Sequence, residues 1–207
     1  MNRHRMVFLS LLMLMAAHLA NAQAPGVHSE YMKDNKTTRV ETNLLYLLNT
    51  PDQFVELILR SWYKGETLSK APTRVALEIF SLSKKPLYEG NKALTLVADG
   101  EELPIGSVSN LVLTGETKNG ADTFYGVRGN PNVGMQVPVP QSAEIKLKGN
   151  GVSGLSLEWM EIDIKPEQFF KLAKSKTMAL RLGKSSFTFT EAQMNIIRNF
   201  ATAITLQ

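Results

Sequence analysis

From Val40 onward the chain alternates between apolar and polar positions with a period of two. Val40, Thr42, Leu44, Tyr46 and Leu48 share one phase, and Asn49-Thr50-Pro51-Asp52 ends the run as a turn. The next segment carries Val55, Leu57 and Leu59 on one side and Phe54, Ile58 and Trp62 on the other, which predicts a strand buried on both faces. Val75, Leu77 and Ile79 alternate with Arg74, Ala76 and Glu78, the pattern of a half-buried strand. Further on, four turn dipeptides interrupt similar runs. Asp99-Gly100 separates Leu94, Leu96 and Ala98 from Leu103 and Ile105, and Asn119-Gly120 separates Leu111 and Leu113 from Phe124 and Val127. Asn150-Gly151 separates Ile145 and Leu147 from Leu155 and Leu157, and Gly183-Lys184 separates Leu180 and Leu182 from Phe187 and Phe189. Each predicts a tight hairpin, because these residues tolerate the positive φ that such turns require; glycine in first place at 183 favours type II′.

The run from Leu155 to Ile164 changes phase halfway. Leu155, Leu157 and Trp159 share one face, whereas Met160, Ile162 and Ile164 share the other. A bulge near Trp159-Met160, or a strand passing between layers, would bury both sets. Near the end the period changes to that of a helix. Pro166 suits a first helical position, Ile164 and Phe169 can staple around it, and Glu167, Lys171 and Lys174 complement the dipole. A second helix opens with Thr190 and Gln193 as a capping box, and Met194, Ile197, Ala201 and Ile204 form its apolar stripe. The predicted fold is α+β and mostly β: an antiparallel β-sandwich or curled sheet built of hairpins, with two C-terminal helices packed on it.

The chain's beginning has a different character. Arg3 and Arg5 precede an apolar run from Met6 to Leu19, and Ala20-Asn21-Ala22 fits a signal-peptidase site, so 1–22 reads as a signal peptide. Residues 23–39 are polar and mixed and read as a flexible leader, leaving 40–207 as a single β-rich domain. Export implies a periplasmic or secreted protein. Cleavage would remove His4 and His18, leaving His28 as the only histidine in a chain without cysteine. An exported fold with no disulfide must hold by its core, and no cysteine is present to carry a lipid anchor. Losing Arg3 and Arg5 lowers the net charge from +4 to +2, too little to imply a nucleic-acid partner. No second long apolar run follows, so no integral membrane segment is expected after signal removal. Asn35-Lys36-Thr37 is a sequon that matters only in a eukaryotic host.

Candidate chemistry is sparse. Gly183-Lys184-Ser185 resembles the end of a phosphate loop but lies in a hairpin, with Met178 where the upstream glycine belongs. Ser81-Leu82-Ser83-Lys84 matches S-x-x-K without its companion elements. Gly151-Val152-Ser153-Gly154 falls one residue short of a nucleophile elbow, and with only His28 available as base, in the leader, neither an acyl-transfer triad nor a zinc site with His or Cys ligands is expected. No metal site or cofactor is expected. Carboxylates remain. Glu158, Glu161 and Asp163 are close in sequence, and in a strand the last two share a face about 7 Å apart, which suits a glycosidase pair as well as a solvated sheet face. Trp62, Tyr63 and Tyr125 are candidate stacking platforms, and Trp159 reads as core. Lys171, Lys174, Lys176, Arg181 and Lys184 read as a solvated charged face.

The run Met178-Ala-Leu-Arg-Leu-Gly-Lys-Ser-Ser-Phe-Thr-Phe-Thr190 and its following helix, with Pro166-Glu-Gln-Phe-Phe-Lys-Leu-Ala173 before it, resemble the endings of uncharacterised exported bacterial proteins. The resemblance spans the C-terminal part alone and implies an α+β ending with no activity attached. The expected function is a non-enzymatic binding or interaction protein of the bacterial cell envelope, with an unknown protein or small ligand as partner. The alternatives are a carboxylate-dependent glycan hydrolase, or a carrier of a small apolar ligand between sheet layers. Pro138 and Pro140 mark an edge strand guarded against indiscriminate pairing.

Overall fold

Alternation makes the strands, and register decides which of them meet. The computed structural model describes residues 25–50, 52–66, 72, 74–88, 94–103, 105, 108–118, 121–127, 134–138 and 153–205. The signal peptide expected at 1–22, together with Pro140, Ile145, Leu147 and Asn150-Gly151, lies outside them. The larger sheet runs, in spatial order, β1 (Val27–Met32), β2 (Thr37–Thr42), β4 (Gln53–Lys64), β5 (Val75–Ser83), β11 (Ser156–Ile164), β8 (Val108–Lys118), β9 (Ala121–Val127) and β10 (Gly134–Pro138). Short β3 (Leu45–Asn49) continues alongside β4, next to β2. A smaller sheet has the order β13 (Ser185–Thr188), β12 (Met178–Leu182), β6 (Leu94–Ala98), β7 (Glu101–Leu103). Two helices, α1 (Pro166–Lys174) and α2 (Glu191–Ile204), complete the described elements. Every described pairing is antiparallel. The large sheet is open, with β1 and β10 at its edges, and is not a closed barrel. No helix among the described residues is long and apolar enough to cross a membrane.

One face of the large sheet builds the main core. Val55, Leu57 and Leu59 of β4, Val75, Leu77 and Ile79 of β5, and Met160, Ile162 and Ile164 of β11 lie there. Leu96 and Leu180 of the small sheet, Phe169 of α1, and Met194, Ile197 and Phe200 of α2 join the same cluster. The layered fold expected from the pattern is therefore present, with both helices on the inner face. Local signals act as anticipated: Pro166 opens α1, and Thr190 and Gln193 form a reciprocal capping box on α2. The Asp99-Gly100 turn takes positive φ at both residues, and Gly183 takes it in the β12–β13 turn. Lys118 pairs with Ala121 in the β8–β9 ladder, and Asn119-Gly120 lies outside the described residues. Pro138 ends the outermost strand β10.

Five expectations are corrected. The supposed flexible leader contains β1 and part of β2, which pair in register from Val27 opposite Thr42 to Met32 opposite Thr37. Its start is fastened: Asn43 donates its N–H to the Gly26 carbonyl at 2.7 Å, and Asn199 on α2 donates to the Pro25 carbonyl at 2.9 Å. The single strand expected from Val40 to Leu48 is two strands, β2 and β3. The break follows Thr42, whose hydroxyl accepts the Leu59 N–H at 3.1 Å in place of a ladder bond. β5 is buried on both faces rather than half-buried, because it lies centrally between β4 and β11. No bulge interrupts β11, which pairs continuously from Ser156 opposite Ser83 to Ile164 opposite Val75. Its phase shift reflects two cores: Leu157 joins Phe54, Leu82, Leu113 and Leu155 in a second cluster on the outer face. Finally, β11 has β5 and β8 on its two sides, so it forms no hairpin across Asn150-Gly151.

Candidate functional site

Antiparallel register places opposed residues on one face, about 4.7–4.9 Å apart from strand to strand. Following the pairs across the outer face of the large sheet gives two kinds of row. One row joins His28, Glu41, Arg60, Ala76 and Asp163, and its neighbour joins Ile58, Glu78, Glu161 and Ser109. The next joins Tyr46, Glu56, Phe80, Trp159 and Leu111. The outer face is thus ionic at one end and aromatic at the other.

At the ionic end each buried acid has a cationic partner. Arg60 Nε donates to Glu41 Oε2 at 2.7 Å, and its Nη1 donates to Glu78 Oε2 at 2.5 Å. His28 Nε2 lies 2.7 Å from Glu41 Oε1, and Arg39 bridges Glu30 and Glu41. Burial raises the Glu41 carboxyl, but hydrogen bonds from Arg60 and His28 and the charges of Arg60 and Arg39 outweigh it, holding it below the usual range. At Glu78, only 2 % exposed, burial prevails over the attraction of Arg60 and pushes the carboxyl up. Arg74 donates Nη2 to Glu161 Oε1 at 2.5 Å. Its Nε lies 2.9 Å from Asp163 Oδ1, a charge contact off the hydrogen-bond line, and its guanidinium stacks 4.7 Å above the Trp62 ring.

The aromatic end is different. Phe80 and Trp159 stack, with centroids 5.7 Å apart and planes 19° from parallel. Glu56 stands across from Phe80 on one side and from Tyr46 on the other, and is 2 % exposed. Burial alone pushes its carboxyl up to about 7. Its Oε2 and the Trp159 Nε1, both buried, find no hydrogen-bond partner among the described residues. An unpartnered buried polar atom costs about 1–3 kcal/mol, and this row holds two.

The residues singled out from sequence scatter. Glu158 is on the inner face, fully buried, and accepts the Leu87 and Tyr88 N–H groups at 2.8 and 2.7 Å. It fastens a turn, with the sheet between it and Glu161 and Asp163. Those two share a face as expected, but both answer to the one Arg74. Trp62 is on the outer face; Tyr63, its neighbour, is buried in the main core and donates its hydroxyl to the Ile204 carbonyl at 3.0 Å. Burial, against a hydrogen bond with Ser61, pushes the Tyr63 phenol up to about 12. Tyr125 pairs with Thr114 and Gln136 in the backbone ladder. Trp159, read as core, proves to be half-buried on the outer face beside the second cluster. Glu56, Phe80 and the His28–Glu41–Arg60 network went unnoticed, because each looks ordinary until register supplies its neighbours. Among the described residues, no three histidine or acidic side chains converge as metal ligands. No protein-family model matches the chain, and no curated protein or solved structure matches it significantly.

Proposed function

We propose that this chain is an exported, non-enzymatic binding protein of the bacterial cell envelope, and that it holds a small molecule on the aromatic end of the large sheet's outer face. The row Glu56–Phe80–Trp159–Leu111 carries the reading. It combines a stacked aromatic pair with two buried polar atoms that lack partners among the described residues, the mix of apolar lining and few polar anchors that ligand sites use. Rigid antiparallel strands hold the row in place, which suits recognition. The hydrolase alternative draws less support: Glu158 lies across the sheet from the other two acids, and Arg74 engages both of those. Export rests on the charged start, apolar run and Ala20-Asn21-Ala22 ending of the first 22 residues.

Native mass spectrometry on protein purified gently from its own envelope fraction tests both parts. The expected species starts at Gln23 and carries an extra mass of a few hundred daltons. Trp159→Phe, which keeps a ring but removes the indole N–H, should retain much less of it. A chain starting at Met1 overturns export. A bare mature chain, or equal retention by Trp159→Phe, overturns the outer-face site.

A further inference from the structure

We infer that the outer-face site takes an organic cation: an ammonium group against Glu56, an apolar ring on the Phe80–Trp159 stack, and a hydrogen-bond acceptor at Trp159 Nε1. The inference rests on the binding reading above and names its ligand class.

The argument starts from what the other buried acids have. Glu41 and Glu78 are paired with Arg60, and Glu158 accepts two backbone N–H groups. Glu56 is equally buried and has neither. A buried carboxyl without a partner is normally replaced or neutralised, since the isolated charge is expensive to desolvate. Among the described residues, the groups facing it supply no cation. β3 offers the Tyr46 phenol, β5 offers Glu78, and on β4 itself Arg60 is already held by Glu41 and Glu78. A positive charge on a bound ligand would supply the missing partner, and the low-polarity setting strengthens such a pair. Two strand spacings away, roughly 10 Å, the Trp159 Nε1 donor lacks an acceptor. Phe80 lies between, stacked on Trp159, so the pair offers an apolar body its edges and outer faces and offers the cation the π-density of Phe80.

The inferred way in is beside Tyr46. This residue is 49 % exposed, the most open large apolar side chain among those described, and meets Phe54 edge-on at 5.6 Å. It sits on β3, which among the described strands pairs with β4 and whose register shifts between Tyr46 and Leu48. Tyr46 stands opposite Glu56 in the ladder, so a turn of this one side chain changes access to the Glu56 end of the row without breaking a strand.

The test uses isotope-labelled protein from the envelope fraction. The chain has two tryptophans, so its indole N–H region holds two signals, and Trp62→Phe assigns them. The probes are 2-(4-methoxyphenyl)ethylamine and its uncharged counterpart 2-(4-methoxyphenyl)ethanol, each titrated at pH 6 and pH 8. The amine should move the Trp159 signal and leave Trp62 still. Its affinity should rise about tenfold from pH 6 to pH 8, as Glu56 ionises across its raised pKa, while the alcohol shows no such rise. Glu56→Gln, close in size, should bind both probes alike at both pH values while keeping the rest of the spectrum. Equal, pH-independent binding of amine and alcohol overturns the cation and leaves the binding site standing. Movement of neither probe's Trp159 signal overturns the site itself. Should Glu56→Gln fail to fold, Tyr46→Ala must speed amine association; an unchanged rate overturns the entry route and the Glu56 contact with it.

Discussion

Glu56 is a residue that folding does not favour. Its carboxyl is raised to about 7 by burial, against 4.5 for an exposed glutamate. Between those values the unfolded chain is ionised there while the folded chain holds a proton, so the folded state binds more protons. Stability contributed by the protonated side chain is whole below pH 4.5, falls as pH rises, and is fully lost above about 7. At 1.36 kcal/mol per pH unit the loss is at most about 3 kcal/mol. Chemical denaturation at pH 4.5 and pH 8 should show a decline of that order in the parent chain, much reduced in Glu56→Leu, which should be the more stable at pH 8. A parallel decline in both would place the burden elsewhere. A cost of this kind, with no structural return among the described residues, is the kind that the proposed ligand contact would account for. Sequence could not reveal it. In Phe54-Val-Glu-Leu-Ile-Leu-Arg-Ser-Trp62 the glutamate reads as an ordinary polar position, and only register, by setting Tyr46 and Phe80 beside it, shows that no described cation stands opposite it.

Elements governed by short-range chemistry were legible in the sequence; those governed by distant partners were not. The Thr190–Gln193 cap, the Pro166 start and the Asp99-Gly100 and Gly183-Lys184 turns are fixed within a few residues, so their signals hold. β1 has no such signal. Val27-His-Ser-Glu-Tyr-Met32 is too polar to predict a strand, and it forms because β2 pairs along it and α2 packs against its entry. Gly26 is the fastening point. Its φ is +78°, and a Cβ there would meet Ile196 Cγ1 at 3.0 Å. Gly26→Ala should therefore cost about 1–2 kcal/mol from the left-handed backbone, plus crowding against the helix. Hydrogen exchange at the Asn43 N–H, which bonds the Gly26 carbonyl, should quicken in the variant, whereas a flexible leader would leave both quantities unchanged. The β11 bulge failed as an expectation for the same reason: one strand's phase shift can mean a bulge or a second core, and only the neighbours Leu82 and Leu113 decide between them.

At the scale of the molecule, the central order β5–β11–β8 joins residues such as Val75 and Ile164 across long stretches of chain, with closure costs that leave no mark in local pattern. Both sheets and both helices then meet in one cluster, and that has a thermodynamic consequence. Phe200 lies at its centre, fully buried, edge-on to Phe169 with centroids 5.5 Å apart. Phe200→Ala removes a ring that α2 presses into the core, and should cost about 3–5 kcal/mol. For a chain of this size that lowers the unfolding midpoint by roughly 10 °C. The site offers a way to see whether the loss is shared. Trp62 and Trp159, the two tryptophans of the chain, both lie on the outer face of the large sheet, away from α2, so their fluorescence follows that sheet alone. Far-ultraviolet circular dichroism follows both sheets and both helices together. A common core requires the two transitions to coincide in the parent and to move down together in Phe200→Ala. If the tryptophan transition stays in place while the dichroism shifts, the large sheet stands without the helices, and the outer-face site is then independent of the inner core.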